Sequence, residues 1–393
     1  MLLGILIWRQ ISVTTMNIFV VKINCTYLEE IIGYLIYYIS IAGFSLLSAV
    51  LAGRVKRNTR IYIGIVVAMI CVIISIIFDN LIFFIVYAFL SGLSFGIGLP
   101  PCFGYFAERT TVQNRGRNSA IMFFLLSLIF VIIAIVLKSL GKNFLTAISI
   151  TLLGVVLVTA LNVKEDKENE VAAGKRTRFI SIISNKYFLF YFISSSIFCL
   201  IDALETPILE NFLSRTFGEG FRDVILSTET FFTAFSALAA GFLADLYGRK
   251  KITIYGFIAS GIAYATVGVA SPYALSWYLY AIVDGIALGF FVVILIFTVW
   301  GDISTQSASE KYYALGSLPF FLVGILLKIV GPYVEIIPVN ASFSFASFFL
   351  FLAVLPLMYA PETLPEKLIR RRELREYVEK AKKIREKYEK EKD

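Results

Sequence analysis

The sequence predicts an all-α membrane protein, with twelve transmembrane helices in two six-helix bundles related by a pseudo-two-fold axis. Three observations lead there. Of the 393 residues 58% are hydrophobic and only 16% charged, with a mean hydropathy of +0.81, beyond the roughly half-apolar composition of a water-soluble domain. Apolar runs recur at about the ~20-residue length that crosses a bilayer. A shift of 192 residues lays Leu51, Ala52, Arg57 and Gly64 on Leu243, Ala244, Arg249 and Gly256, which marks an internal repeat.

Taken in order, the spans are expected at 2–22, 31–52, 60–78, 81–106, 118–137 and 143–162, then 187–209, 224–245, 251–270, 274–299, 311–330 and 340–359. The first six make a bundle over 1–162 and the last six a bundle over 187–360. Between them, 163–186 is too polar to be buried and reads as a flexible cytoplasmic linker. The stretch 361–393 is a basic cytoplasmic tail. From Glu366 it carries 12 basic and 8 acidic residues, and Tyr377, Ala381, Ile384 and Tyr388 fall on one helical stripe.

Loop charge orients the chain. Of 36 Lys and Arg residues, 29 fall on one side of the alternating loops and 6 on the other, with Arg9 inside span 1. The rich side is cytoplasmic by the positive-inside rule, which predicts a multi-pass cell-membrane protein with both termini in the cytoplasm. The sequons beginning at Asn24 and Asn340 then face outward. In the repeat register span 1 is short of its first turn. Either the true start precedes Met1 or the helix begins at the membrane surface.

Composition also excludes. There is no histidine, which removes imidazole ligands, Ser-His and Cys-His nucleophiles and imidazole relays together. Gly92-Leu93-Ser94-Phe95-Gly96 matches a nucleophile elbow only by chance, since it lies in an apolar helix and has no histidine to activate the serine. No phosphate-binding Gly-x4-Gly-Lys loop occurs. The four cysteines share no metal spacing, so neither metal nor disulfide is expected. The net charge of +8 is explained by topology rather than by nucleic acid. No cofactor and no enzymatic activity are predicted; the partners are a small-molecule substrate, a proton and the lipid bilayer.

Two apolar spans enclose the charged turn Gly241 to Lys251, GFLADLYGRKK. Its pattern Gly-x-Leu-Ala-Asp-x-x-Gly-Arg-Lys resembles the signature loop of the major facilitator superfamily of secondary transporters. The first-half copy, AGRVKRNTR, is degenerate: Gly53 stands where Asp245 does. In span 4 the glycines 92, 96 and 98, and after it the run Glu108 to Arg117, resemble the sugar and organic-solute porters, as does Pro361-Glu362-Thr363 after span 12. The arginine those porters carry in this helix is Ala88 here. The Gly-Pro signature of drug/proton antiporters is missing from span 5.

The resemblance implies a cytoplasmic gate of Arg57, Glu108, Arg117, Asp245, Arg249 and Asp302. Asp245 is expected at the N-terminus of span 5, where orphan N–H groups favour a carboxylate. Arg249 is expected to pair with Asp302 and Arg57 with Glu108, joined by Glu362. Charges inside spans are retained for a site, because facing lipid costs at least ~2.5–3.5 kcal/mol. Asp202 and Glu205 share a face of span 7, Asp284 follows Tyr280 by a turn on span 10, and Glu229 heads a polar stripe on span 8. Span 1 carries Arg9, Gln10 and Asn17. The resemblance aims spans 1, 4, 7 and 10 at a central cavity, hence Arg9, Asp202, Glu205 and Asp284 at substrate or proton. The expected function is a proton-coupled secondary transporter of a sugar-type or organic-acid-type solute, with Asp202 as the leading coupling acid. Two alternatives stay open: a proton-coupled exporter of organic cations, and a transport-inactive receptor or scaffold.

Overall fold

The computed structural model describes residues 1–140, 149, 154, 156, 177–304, 308–334 and 336–365. Most of span 6, most of the linker and the basic tail helix lie outside the described residues. Among the described residues eleven helices are long and apolar enough to cross a membrane.

The first half contains α1 (Leu2–Lys22), α2 (Tyr27–Leu51), α3 (Arg57–Ile77), α4 (Leu81–Arg109) and α5 (Arg115–Leu140). Side-chain caps set two of the starts. Thr26 and Glu29 cap α2 reciprocally, and Asn80 Oδ1 accepts the Phe83 N–H at 3.0 Å to open α4; each satisfies an N–H that the helix itself cannot. A short helix, α6 (Phe179–Ile183), precedes the second half and buries Ile182.

The second half contains α7 (Lys186–Thr216), α8 (Glu219–Tyr247), α9 (Arg249–Ala270) and α10 (Ala274–Phe291), the last continuing through a π-helical turn over Val292–Thr298 into α11 (Val299–Ile303). Span 11 is split into α12 (Ser309–Gly316) and α13 (Leu318–Val334), and span 12 into α14 (Val339–Leu352) and α15 (Val354–Tyr359). Pro319 and Pro356 lack the N–H groups that would bond Leu315 and Leu352, which breaks both spans. In the π turn, Thr298 Oγ1 donates to Val293 O at 2.7 Å.

One boundary bears on the site. Span 7 does not end near 209: α7 runs through Pro207 to Thr216, which leaves Glu205 inside a helix and buried instead of at an outer end. Pro207 removes one backbone hydrogen bond without ending the helix. Lys328 lies inside α13, within the expected span 311–330.

Within the first half α4 packs along α1, α2 and α3; within the second, α10 packs on α8 and α9, and α9 on α14. Close contact between α4 and α2 requires Gly92 and Gly96, where a Cβ would stand 2.5 Å from Tyr37 O and 2.7 Å from Ile41 O. The halves meet along two seams, α5 with α8 and α2 with α13, and α12 lies on α4. Under the internal repeat each seam is the image of the other. Large apolar side chains such as Val269, Ile336 and Phe348 stand exposed on the outside, which a bilayer accommodates and water does not.

A thiol label that cannot cross the membrane tests the orientation. Applied to intact cells, it should modify Cys25 and spare a cysteine introduced at Asn169, which lies outside the described residues. Partial burial, with the carboxylates of Glu29 and Glu30 beside it, pushes the Cys25 thiol up from its ordinary value. Its labelling should therefore be slow at neutral pH and quicken as pH rises, since the thiolate is the reactive form. Labelling at 169 with Cys25 protected would invert the orientation.

Candidate functional site: a charged closure and a polar cluster

At the face that carries the basic loops, Asp245 ends α8 and reaches the first turn of α5. Its Oδ1 accepts the Gly116 N–H at 3.1 Å and its Oδ2 the Arg117 N–H at 2.9 Å. A helix start offers such unpaired N–H groups and a positive dipole end, so a carboxylate from the opposite half completes α5. Side chains larger than hydrogen would prevent the approach. A Cβ on Gly116 would lie 2.5 Å from Asp245 Oδ1, and one on Gly241 2.4 Å from Gly116 O. Asp245 is fully buried and also pairs with Arg249 Nη2 at 2.7 Å.

Arg249 opens α9 after the turn at Gly248, whose φ of +105° excludes most other residues. Its guanidinium is distributed over both halves: Nε to Asp302 Oδ2 at 3.0 Å, Nη1 to Ala244 O at 2.7 Å and Nη2 across to Val112 O at 2.6 Å. Asp302 is shared with Arg115 of the first half and with Thr363 at 3.2 Å. Among the described residues Glu362 makes no ion pair with a guanidinium. It accepts the Arg249 and Lys250 N–H groups at 2.7 and 3.1 Å and so caps α9, as Asp245 caps α5.

The image of this arrangement surrounds Arg57. Glu108 takes it in bidentate fashion at 2.6 and 2.8 Å, and Glu310 Oε1 from α12 accepts its Nε at 2.8 Å. Arg60, buried, donates Nη1 to Glu310 Oε2 at 2.5 Å and to Ser48 O at 2.9 Å. Arg117 takes part chiefly through its backbone: its guanidinium is partly exposed, with Nε 3.6 Å from Asp245 Oδ2, and lies over the Phe242 ring.

The expected gate residues are thus brought together, and Arg60, Arg115 and Glu310 were missed. A signal existed for two of them. Glu108 and Arg115 are seven apart, as are Asp302 and Ser309, the neighbour of Glu310. The missing carboxylate at Gly53 announced that the start of span 11 would need an acid of its own. Above the charges an aromatic layer closes the space between halves: Phe103 stacks on Tyr313 with centroids 4.4 Å apart and meets Phe297 at 5.6 Å.

The ionisable residues inside the spans divide differently from expectation. Glu205 accepts the Tyr280 hydroxyl at 2.8 Å and the Tyr264 hydroxyl at 3.1 Å. Asp284 accepts Ser260 Oγ at 2.7 Å. These partners lie on α9 and α10, so both carboxyls are tied into the second half rather than turned toward the first. Asp202 and Glu229 are half-buried, near enough for the four acids to act on one another electrostatically. In α1, Arg9 and Gln10 are half-buried and Asn17 is exposed, its Oδ1 accepting the Tyr34 hydroxyl. Arg9 and Asp202 form no ion pair with each other or with any other described residue.

Asp245→Asn should weaken closure at this face. Losing one charge of a buried, hydrogen-bonded pair costs about 2 kcal/mol at the mild end, roughly a thirtyfold change in population. Spin labels across the basic face should show a longer distance gaining weight. An unchanged distance distribution would remove Asp245 from the closure.

The family model of the Major Facilitator Superfamily matches residues 11–220, more than half of the chain. Among solved structures the chain is similar to the major facilitator proton:xylose symporter XylE bound to 6-bromo-6-deoxy-D-glucose. The TM-score is 0.68 over 92% of this chain and 94% of that one, at 15% sequence identity, so the likeness is one of fold. No curated protein matches in sequence. With the family model spanning spans 1 to 7 and the fold shared over nearly the full length, this chain belongs to the major facilitator superfamily.

Proposed function

We propose that the protein is a secondary active transporter that moves a small sugar-type or organic-acid-type solute across the cell membrane by alternating access, coupled to protons. The bundles over 1–162 and 187–360 are the moving bodies, 163–186 is the cytoplasmic linker between them, and both termini, including the basic tail 361–393, are cytoplasmic. One observation carries the reading: the contacts that shut the basic face run between the halves and consist of ion pairs and capping N–H groups. Such contacts have low net worth when formed but are costly to break one partner at a time. A closure of this kind specifies one state without locking it.

In this reading the solute meets polar groups of span 1, where the side chains of Arg9 and Gln10 make no hydrogen bond or ion pair among the described residues. Asp202 is the coupling acid. It is half-buried, and its carboxylate makes no hydrogen bond among the described residues, so its environment changes most as the halves move. Glu205 and Asp284 are anchored by hydroxyls and support binding. A second reading, export of organic cations, is favoured by four neighbouring carboxyls without an ion-pair partner among the described residues.

Uptake into proteoliposomes across a solute library, with and without an imposed pH gradient, tests both. A neutral or acidic solute concentrated by the gradient supports the first reading; gradient-driven movement of organic cations alone supports the second. Asp202→Asn keeps shape while removing the titration. It should abolish accumulation driven by the gradient and leave exchange without a gradient measurable, whereas Asp284→Asn should weaken binding more than coupling. Accumulation surviving in Asp202→Asn would move the coupling role to Asp284 or Glu229.

A further inference from the structure

The seam between α2 and α13 is closed at both membrane faces. Beyond its basic end, Arg57 and Arg60 at the start of α3 meet Glu310 of α12; at the opposite face it ends in a cluster that none of the gate residues includes. Lys328 sits in the otherwise apolar run of α13, where a lone ammonium would be costly unless it reached water or a partner. It reaches across to the other half. Its Nζ bonds Glu30 Oε1 of α2 at 2.6 Å and lies 4.2 Å from the Tyr34 ring centroid, a cation–π contact. Its backbone carbonyl accepts the Tyr27 hydroxyl at 3.0 Å.

One turn inward the contact continues. Tyr38 lies against Gly324, where a Cβ would stand 2.2 Å from the ring, and Tyr34 and Tyr38 are stacked on one face of α2. The side chains of Lys328 and Glu30 are 29% and 25% exposed, open enough to part and re-form yet shielded enough for the pair to favour one state. Tyr34 also donates to Asn17 of α1, which links the cluster to the polar stripe expected to meet solute.

We propose that Lys328, with Glu30, Tyr27 and Tyr34, is the latch of the outer face and a positioning element of the transport cycle: it must part for solute to reach the space between the halves from outside. The inference rests on the alternating-access reading. Glu310 and Lys328 hold opposite ends of one seam, so weakening each should bias the protein in opposite directions. Methionine keeps the length of the Lys328 stem and removes the charge, while arginine keeps the charge.

The test places spin labels on the exposed residues Ile82 and Val269, at the outer ends of the two halves, in a background with Cys25, Cys71, Cys102 and Cys199 replaced by serine. Lys328→Met should raise the population with the longer outer distance by about five- to tenfold, the range of modest two-state coupling. Lys328→Arg should keep the short distance, and the exchanged pair Glu30→Lys with Lys328→Glu should restore it. Glu30→Gln, altered only in a first helical turn, gives the same reading should Lys328→Met fail to fold. An outer distance unmoved in both Lys328→Met and Glu30→Gln, while Asp245→Asn opens the basic face, overturns the latch and leaves alternating access standing. No movement at either face in any variant overturns both.

Discussion

A buried guanidinium needs acceptors, and the basic face supplies most of them. Arg249 and Arg60 are nearly inaccessible to water, and the groups they bond come from both halves, although Arg60 Nε has no hydrogen-bond partner among the described residues. Asp302 is shared by Arg249 of the second half and Arg115 of the first. Glu310 is shared by Arg57 and Arg60. In the proposed alternating-access cycle, separating the halves there would strand each arginine partly unpaired until water arrives, which favours two discrete states over a continuum.

The two ends of this closure are related by the internal repeat but not by the same chemistry. On one seam Asp245 of the signature turn caps α5. On the other, Gly53 occupies the matching place and has no side chain, and Glu310 in the first turn of α12 supplies the acid from the helix itself. One seam is therefore held by a carboxylate meeting backbone N–H groups and the other by a carboxylate meeting two guanidiniums. Ion pairs and helix-end contacts answer differently to salt and to substitution, so the two seams need not yield together.

Much of this was legible in the sequence. Length and hydropathy place the spans, because a bilayer imposes both, and the resemblance to the superfamily's signature loops implied Arg57 with Glu108 and Arg249 with Asp302 as partners before any distance is known. Asp245 at the start of α5 followed from the electrostatics of a helix end. Rotation about each helix axis is not fixed by such patterns. The resemblance aimed Glu205 and Asp284 at the central space, but it could not name their partners, the hydroxyls of Tyr264, Tyr280 and Ser260. The pairing of Glu30 with Lys328, nearly three hundred residues apart, left no local signal, since each reads singly as a charge near a membrane surface.

The claim that the halves part at the basic face is tested most directly by amide hydrogen exchange on the wild-type protein as transported solute is added. The N–H groups of Gly116 and Arg117 are sealed by Asp245 of the opposite half, while those of Arg249 and Lys250 are sealed by Glu362 of their own. When solute drives the protein to open inward, the account predicts faster exchange at 116 and 117 with 249 and 250 still protected. Equal acceleration at both pairs, or none at either, would contradict it.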